Sequence, residues 1–169
     1  EKIIEVKYSQ YESLSELSND DAFLVAKARE ASLNAWAPYS NFCVGAAVQL
    51  DNGEIVIGSN QENAAYPSGL CAERVALFYA NAKYPNSSVL SIAISACNSN
   101  GLVSDPIKPC GSCRQAILES ELRFEQSIRM ILDGESKVIV IDGVKNLLPL
   151  SFGKTDLELF EPAKAEKFM

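Results

Sequence analysis

The sequence predicts an α/β fold, a three-layer α/β/α sandwich around a mixed sheet of about five strands. Three observations predict it. Short runs rich in Val, Ile and Ala alternate with longer stretches of helical periodicity, which implies helical crossovers between parallel strands and helices on both faces of the sheet. The first two strand patterns are instead separated by Asp51, Asn52 and Gly53, a tight turn that makes an antiparallel hairpin. At 169 residues and 47% hydrophobic, the chain holds one domain with a real core.

In chain order, residues 1–18 read as an amino-terminal extension with a short strand at Ile3 to Tyr8, and 19–169 as the catalytic domain. Asn19 or Asp20 is placed to cap a helix running to about Trp36, with Phe23, Leu24, Ala28 and Ala31 as its apolar stripe and Pro38 ending the pattern. Phe42 to Leu50 and Glu54 to Ser59 form the hairpin. Ser68 is placed to cap a helix from about Gly69 to Lys83, which puts Cys71 in its first turn, where amides and the helix dipole favour a thiolate. Leu90 to Ser95 alternates large residues with Ser and Ala, the pattern of a strand whose second face meets a close helix. A third helix follows from about Cys110 to Leu122, then strands at Ser127 to Leu132 and Lys137 to Ile141, split by a turn at Asp133 and Gly134.

Composition narrows the chemistry. The chain has no histidine, so Ser/His/Asp and Cys/His nucleophilic machinery are excluded and a zinc site must use cysteine or carboxylate. A formal net charge of −7 speaks against polynucleotide binding, which depends on clustered Lys and Arg, and favours a small neutral substrate. The longest apolar runs fall far below the roughly 18 residues of a membrane span. The amino terminus lacks the basic region and apolar stretch of a secretory signal, and five cysteines with a C-x-x-C pair that metal needs reduced point to the cytoplasm.

Cys71, Ala72 and Glu73, with Pro109, Cys110, Gly111, Ser112 and Cys113, carry the chemistry. Three thiolates with a fourth position left open form a catalytic rather than a structural zinc arrangement. Cys110 and Cys113 fall on one helical face, and Glu73 is placed to handle protons beside the metal. The pattern matches the H-x-E and P-C-x-x-C signature of zinc deaminases with Cys71 in place of the histidine. Cys71 and Glu73, two residues apart, point to different sides of an ideal helix, so they must converge near its first turn. Cys43 and Cys97 read as buried small apolar residues.

Further motifs surround this pair: Pro38, Tyr39, Ser40, Phe42, Val44, Gly45, Ala46 and Ala47; Asn60, Glu62, Asn63, Ala64, Ala65 and Tyr66; and Arg74, Arg114 and Gln115 beside the cysteines. Together, from about Ala22 to Phe160, they resemble the zinc-dependent cytidine deaminases of the short, homotetrameric, three-cysteine type. The resemblance implies one zinc ion per chain held by Cys71, Cys110 and Cys113. Zinc-bound hydroxide would attack C4 of cytidine or 2′-deoxycytidine, with Glu73 as proton shuttle, giving uridine or 2′-deoxyuridine and ammonia in pyrimidine salvage.

Arg74 is expected to offset the charge of the thiolates from just outside the ligand set. The resemblance also implies substrate contacts at Phe42, Asn60, Glu62, Ala72 and Phe152. Asn60 and Glu62 would hold the ribose 3′-hydroxyl, and their bland alternative is strand-end capping. Phe42 lines the base pocket or is simply core. The segment with Leu147, Leu148, Pro149, Phe152, Asp156 and Leu157 is expected to close a neighbouring subunit's pocket through Phe152, with Tyr66 at a subunit contact of the homotetramer. A different aminopyrimidine deaminase, resembling blasticidin S deaminase, shares the zinc set, but Asn60, Glu62 and Phe152 favour the nucleoside. A non-catalytic zinc-stabilised interaction module remains the alternative from another class, with Glu73 an ordinary helix residue.

Overall fold

A computed structural model describes residues 1–157 of the chain; Phe160, where the matched stretch ends, lies outside the described residues. The chain runs β1 (Ser9–Tyr11), α1 (Asn19–Ser32), β2 (Cys43–Leu50), β3 (Ile55–Ser59), α2 (Ala72–Lys83), β4 (Val89–Asn98), β5 (Gly101–Leu102), α3 (Gly111–Phe124), β6 (Arg129–Asp133), β7 (Val138–Asp142) and α4 (Lys154–Leu157). The strands form one mixed sheet in the order β1-β7-β6-β4-β2-β3, with β5 beside the end of β4. The hairpin β2–β3 is antiparallel. β2 also pairs antiparallel with β4, so β3 and β4, joined by α2, run the same way. α3 then connects β4 to the parallel neighbour β6. None of the helices among the described residues is long and apolar enough to cross a membrane.

Strand alternation sorts the core into two layers. Ala46, Val48, Ile92, Ile94, Met130, Leu132, Ile139 and Ile141 meet Ala76, Leu77 and Ala80 of α2 and Ile117 and Leu118 of α3. Their neighbours Ala47, Ala93, Ile131, Val138 and Val140 meet Leu24, Val25 and Ala28 of α1 on the other face. Two glycines let helices come this close. A Cβ on Gly45 would overlap the Ala28 carbonyl of α1, and one on Gly58 would overlap the backbone of Ala76 in α2. Ser91, Ala93 and Ser95 supply the small face of β4 toward α1, as its alternation predicts.

Several boundaries differ from the sequence reading. The sheet has seven strands among the described residues rather than five, because β1 and β5, of three and two residues, are too short to carry a periodicity. Residues 3–8 form no strand; Ser9, Gln10 and Tyr11 pair with β7 instead, and Tyr11, Leu14 and Leu17 pack against the α1 layer. The cap of α1 is Ser18, whose hydroxyl accepts the Asp21 N–H at 3.1 Å. That helix stops at Ser32 because Trp36 is drawn away to bridge Gln61, its N–H donating to the Asn60 carbonyl. Phe23 lies outside the apolar stripe and is 54% exposed; Val25 takes its place. Asp133, read as a turn, is the buried last residue of β6. Its carboxylate accepts two hydrogen bonds from Arg29 of α1 and one from Ser95 of β4, which ties the layers together.

Candidate active site

The starts of α2 and α3 converge beneath one face of the sheet, and both begin on a cysteine. Before α2 a 3-10 turn at Tyr66–Ser68 gives way to extended chain, and Leu70 exchanges hydrogen bonds with Gln61. That pairing delays the helix until Ala72, so Cys71 is its extended N-cap (φ −71°, ψ 152°) rather than a residue of its first turn, and Ser68 caps nothing here. This removes the conflict between Cys71 and Glu73: one side chain leaves from extended backbone and the other from the helix. Cys110 is likewise the extended N-cap of α3, with Cys113 one turn inside. Neither N-cap sulfur is used to cap its own helix.

The three sulfurs lie within 4.8 Å of one another, with Cys71 to Cys110 at 3.8 Å and Cys110 to Cys113 at 3.4 Å. Tetrahedral zinc with Zn–S bonds near 2.3 Å sets its sulfurs roughly 3.8 Å apart, so the cluster has the spacing of a zinc ligand set. Two helix N-termini aim their positive ends at this group of soft ligands. The Cys71 thiol is pulled down to about 5, first by a hydrogen bond from Cys113 and then by Arg74, which reaches its sulfur at 3.8 Å. Cys113, donating to Cys71 and wholly buried, holds its own proton far more tightly, so metal uptake must displace it. The buried Nε of Arg74 has no hydrogen-bond partner, a free donor beside the thiolates.

Glu73 is 4% exposed. Burial raises its pKa above the usual carboxylate range, assisted by the charge of Cys71 and opposed by its own backbone N–H and by Cys113. A carboxyl that holds a proton more readily than a solvated one, beside three thiols spaced for a metal, is equipped for proton transfer. Ala72, the first residue of α2, is fully buried and is not among the residues that line the cleft beside Cys71 and Arg74.

A cleft of about 540 Å³ is lined by Cys71 and Arg74 together with Tyr39, Ser40, Asn60 and Glu62. Asn60 lies just past β3, and its side chain stands in for a strand: Oδ1 accepts the Val44 N–H at 2.8 Å and Nδ2 donates to the Phe42 carbonyl at 2.9 Å. Glu62 accepts the N–H groups of Tyr39 and Ser40 and the Ser40 hydroxyl. These bonds, Ser40 first, hold its carboxyl below the ordinary range. Both residues thus cap backbone and also face the cleft.

Phe42 is half-buried at the start of β2 and joins the cleft only through its carbonyl on Asn60. Phe152 is 60% exposed, its carbonyl held by Gln115 at 2.9 Å. Three residues that the sequence reading placed in motifs, but gave no role, contribute here. Ser40 fixes Glu62, while Arg114 joins the Pro109 carbonyl, just before Cys110, to that of Leu147. With Gln115 it pins the carboxyl-terminal segment to α3. Their signal was membership of a motif, next to Cys113 for Arg114 and Gln115, which gives no role without the fold.

The sequence profile of the cytidine and deoxycytidylate deaminase zinc-binding region matches residues 18–125. The chain is 36% identical over 137 residues to a cytidine deaminase of Sporosarcina psychrophila, covering 79% of this chain and 92% of the relative. It is 36% identical over 138 residues to one of Halalkalibacterium halodurans, covering 82% and 98%. Among solved structures, a cytidine deaminase from Burkholderia pseudomallei superposes with a TM-score of 0.68 at 34% identity, covering 80% of this chain and all of that one. With its three thiols spaced for zinc at the starts of two helices, and this similarity along most of its length, the chain belongs to the cytidine and deoxycytidylate deaminase zinc-binding family.

Proposed function

We propose that this protein hydrolyses cytidine and 2′-deoxycytidine to uridine and 2′-deoxyuridine with release of ammonia, in pyrimidine salvage. The observation that carries the reading is the buried Glu73, its carboxyl held above the usual range, next to three thiols spaced for a metal ion. Cys71, Cys110 and Cys113 would hold a zinc ion, which when bound would supply Lewis-acid activation of water near neutral pH. Glu73 takes a proton from the attacking water on its carboxylate oxygen and passes it to N3 of the pyrimidine; it then takes the remaining proton of the C4 hydroxyl and delivers it to the departing amine. Oxygen replaces nitrogen at C4, and ammonia departs. Arg74, with a free buried Nε donor, offsets the negative charge of the thiolates.

Glu62 has capacity for one further hydrogen bond beyond the three it accepts, enough to take the 3′-hydroxyl of the sugar. Asn60 fixes the wall beside it, Ala72 lies behind the site at the start of α2, and Phe42 and Phe152 border the base, Phe152 from a neighbouring subunit of a homotetramer. The catalytic domain is 19–169, with Ser9–Tyr11 adding an edge strand to its sheet, and the setting is cytoplasmic. The test is zinc-replete protein with cytidine, followed by the ultraviolet change to uridine and by released ammonia, with Glu73→Ala alongside. Turnover in the wild type that falls by about 10²-fold or more in a variant retaining its zinc is the expected result. Full activity in the variant would remove Glu73 from its role.

A further inference from the structure

A second pair of thiols lies on the face of the sheet opposite the cysteine centre. Cys43 opens β2 and Cys97 sits near the end of β4, directly opposite one another in the antiparallel register. Side chains two apart share a strand face, so Cys43 lies on the same side as Gly45, against α1. Cys97 shares that side; its Sγ is 3.6 Å from the hydroxyl of Ser32, the last residue of α1. The next pair along, Val44 and Ala96, turns its polar groups outward, Val44 to Asn60 and Ala96 to Val103. Cys43 and Cys97 are therefore a hydrogen-bonded cross-strand pair, whose Cα atoms stand about 5.5 Å apart. A disulfide accepts roughly 4.4–6.8 Å.

Both thiols are free and half-buried, open to a small reagent. Burial first, then the neighbouring Cys97 sulfur, raises the Cys43 thiol above its ordinary range. The chain has five cysteines, three of them in the metal cluster, and these are the other two.

We propose that Cys43 and Cys97 are a redox-sensitive pair, separate from the metal centre, that forms a reversible disulfide by exchange with a low-molecular-weight disulfide such as oxidised glutathione. One protein thiolate attacks the glutathione disulfide, forming a mixed disulfide and releasing one glutathione thiolate. The second protein thiol loses its proton and attacks the protein sulfur of that mixed disulfide, releasing the second glutathione. Two protein thiols are oxidised and one glutathione disulfide is reduced to two thiols. The bond spans adjacent strands and is half-exposed, the kind that reductants reopen readily. Phe42 and Val44, which flank Cys43, hold the two ends of the Asn60 amide, so the pair sits one residue from the wall of the cleft.

The test treats the zinc-loaded full chain with oxidised glutathione at pH ~8, where thiolate is available, then quenches with an alkylating reagent. The expected product has lost two hydrogen atoms in mass, contains a Cys43–Cys97 linked peptide after proteolysis, keeps its zinc, and returns to the starting mass with dithiothreitol. Cys43→Ser and Cys97→Ser each abolish the link and leave a glutathione adduct on the remaining thiol. A wild-type protein that stays fully alkylatable, that stops at a glutathione adduct, or whose link includes Cys71, Cys110 or Cys113 overturns the proposal.

Discussion

Cys71, Cys110, Cys113 and Glu73 sit at the starts of two long helices whose inner faces are core, whereas Asn60 and Glu62 sit past the end of β3, in chain held by side-chain hydrogen bonds to loop backbone. The first group is placed by packing, and Cys113 and Glu73 are almost without exposure. The second is half-buried, and its side-chain bonds are made to Tyr39, Ser40, Phe42 and Val44. The difference teaches how the site is held in two ways, the thiols by helices packed into the core and the cleft wall by side-chain hydrogen bonds to neighbouring backbone.

Cys113→Ser tests that contrast with the largest effect. Removal of the buried thiol leaves two sulfurs and a weak hydroxyl, so zinc measured by atomic absorption falls well below one per chain and turnover is lost. Retention of tightly bound metal would show that the centre does not depend on all three. Arg74→Gln, which keeps the shape and removes the charge, should cost about 10–100-fold in metal affinity or turnover, read by chelator competition and steady-state rates. An unchanged variant would make Arg74 an ordinary helix charge.

On the wall the expected effects are smaller and differently divided. Asn60→Ala leaves the Val44 N–H and the Phe42 carbonyl without partners, so unfolding free energy should drop by about 1–3 kcal/mol, together with a rise in KM. A rise in KM with no loss of stability would break the view that this residue is part of the sheet. Ser40→Ala should raise KM a few-fold with kcat unchanged, since Glu62 keeps its two backbone donors. Glu62 is held below its usual range, so its grip on loop 37–41 is complete above the ordinary carboxylate pKa and fades as pH falls through the lowered value. Without Ser40 that fading moves to higher pH, seen as an earlier acid rise in KM.

How much was legible follows the same division. The cysteine spacing, Glu73 and the hairpin could be read because each depends on local pattern: residues three apart on a helix, a tight turn, alternation along a strand. The true cap of α2 could not, since Ser68 outranks cysteine as a cap and only the long-range pairing of Leu70 with Gln61 holds the helix back. Asp133 read as a turn because an aspartate before glycine usually is one; its partner Arg29 lies 104 residues away. Asn60 read as ligand-facing or as a strand-end cap, and spacing could not choose; its amide is committed to β2. Cys43 and Cys97 read as buried, yet are half-buried and face each other, a register that no single strand discloses.

The Asn60 side chain presents one donor and one acceptor, spaced as in a peptide group, to the edge of β2. Aspartate would lose the donor and glutamine would reach too far, so position 60 is closed to substitution for reasons that have nothing to do with the sugar. Anyone reshaping this enzyme toward altered nucleosides will find its latitude elsewhere, at Ser40 and along loop 37–41, where a changed side chain can alter preference without dismantling a strand.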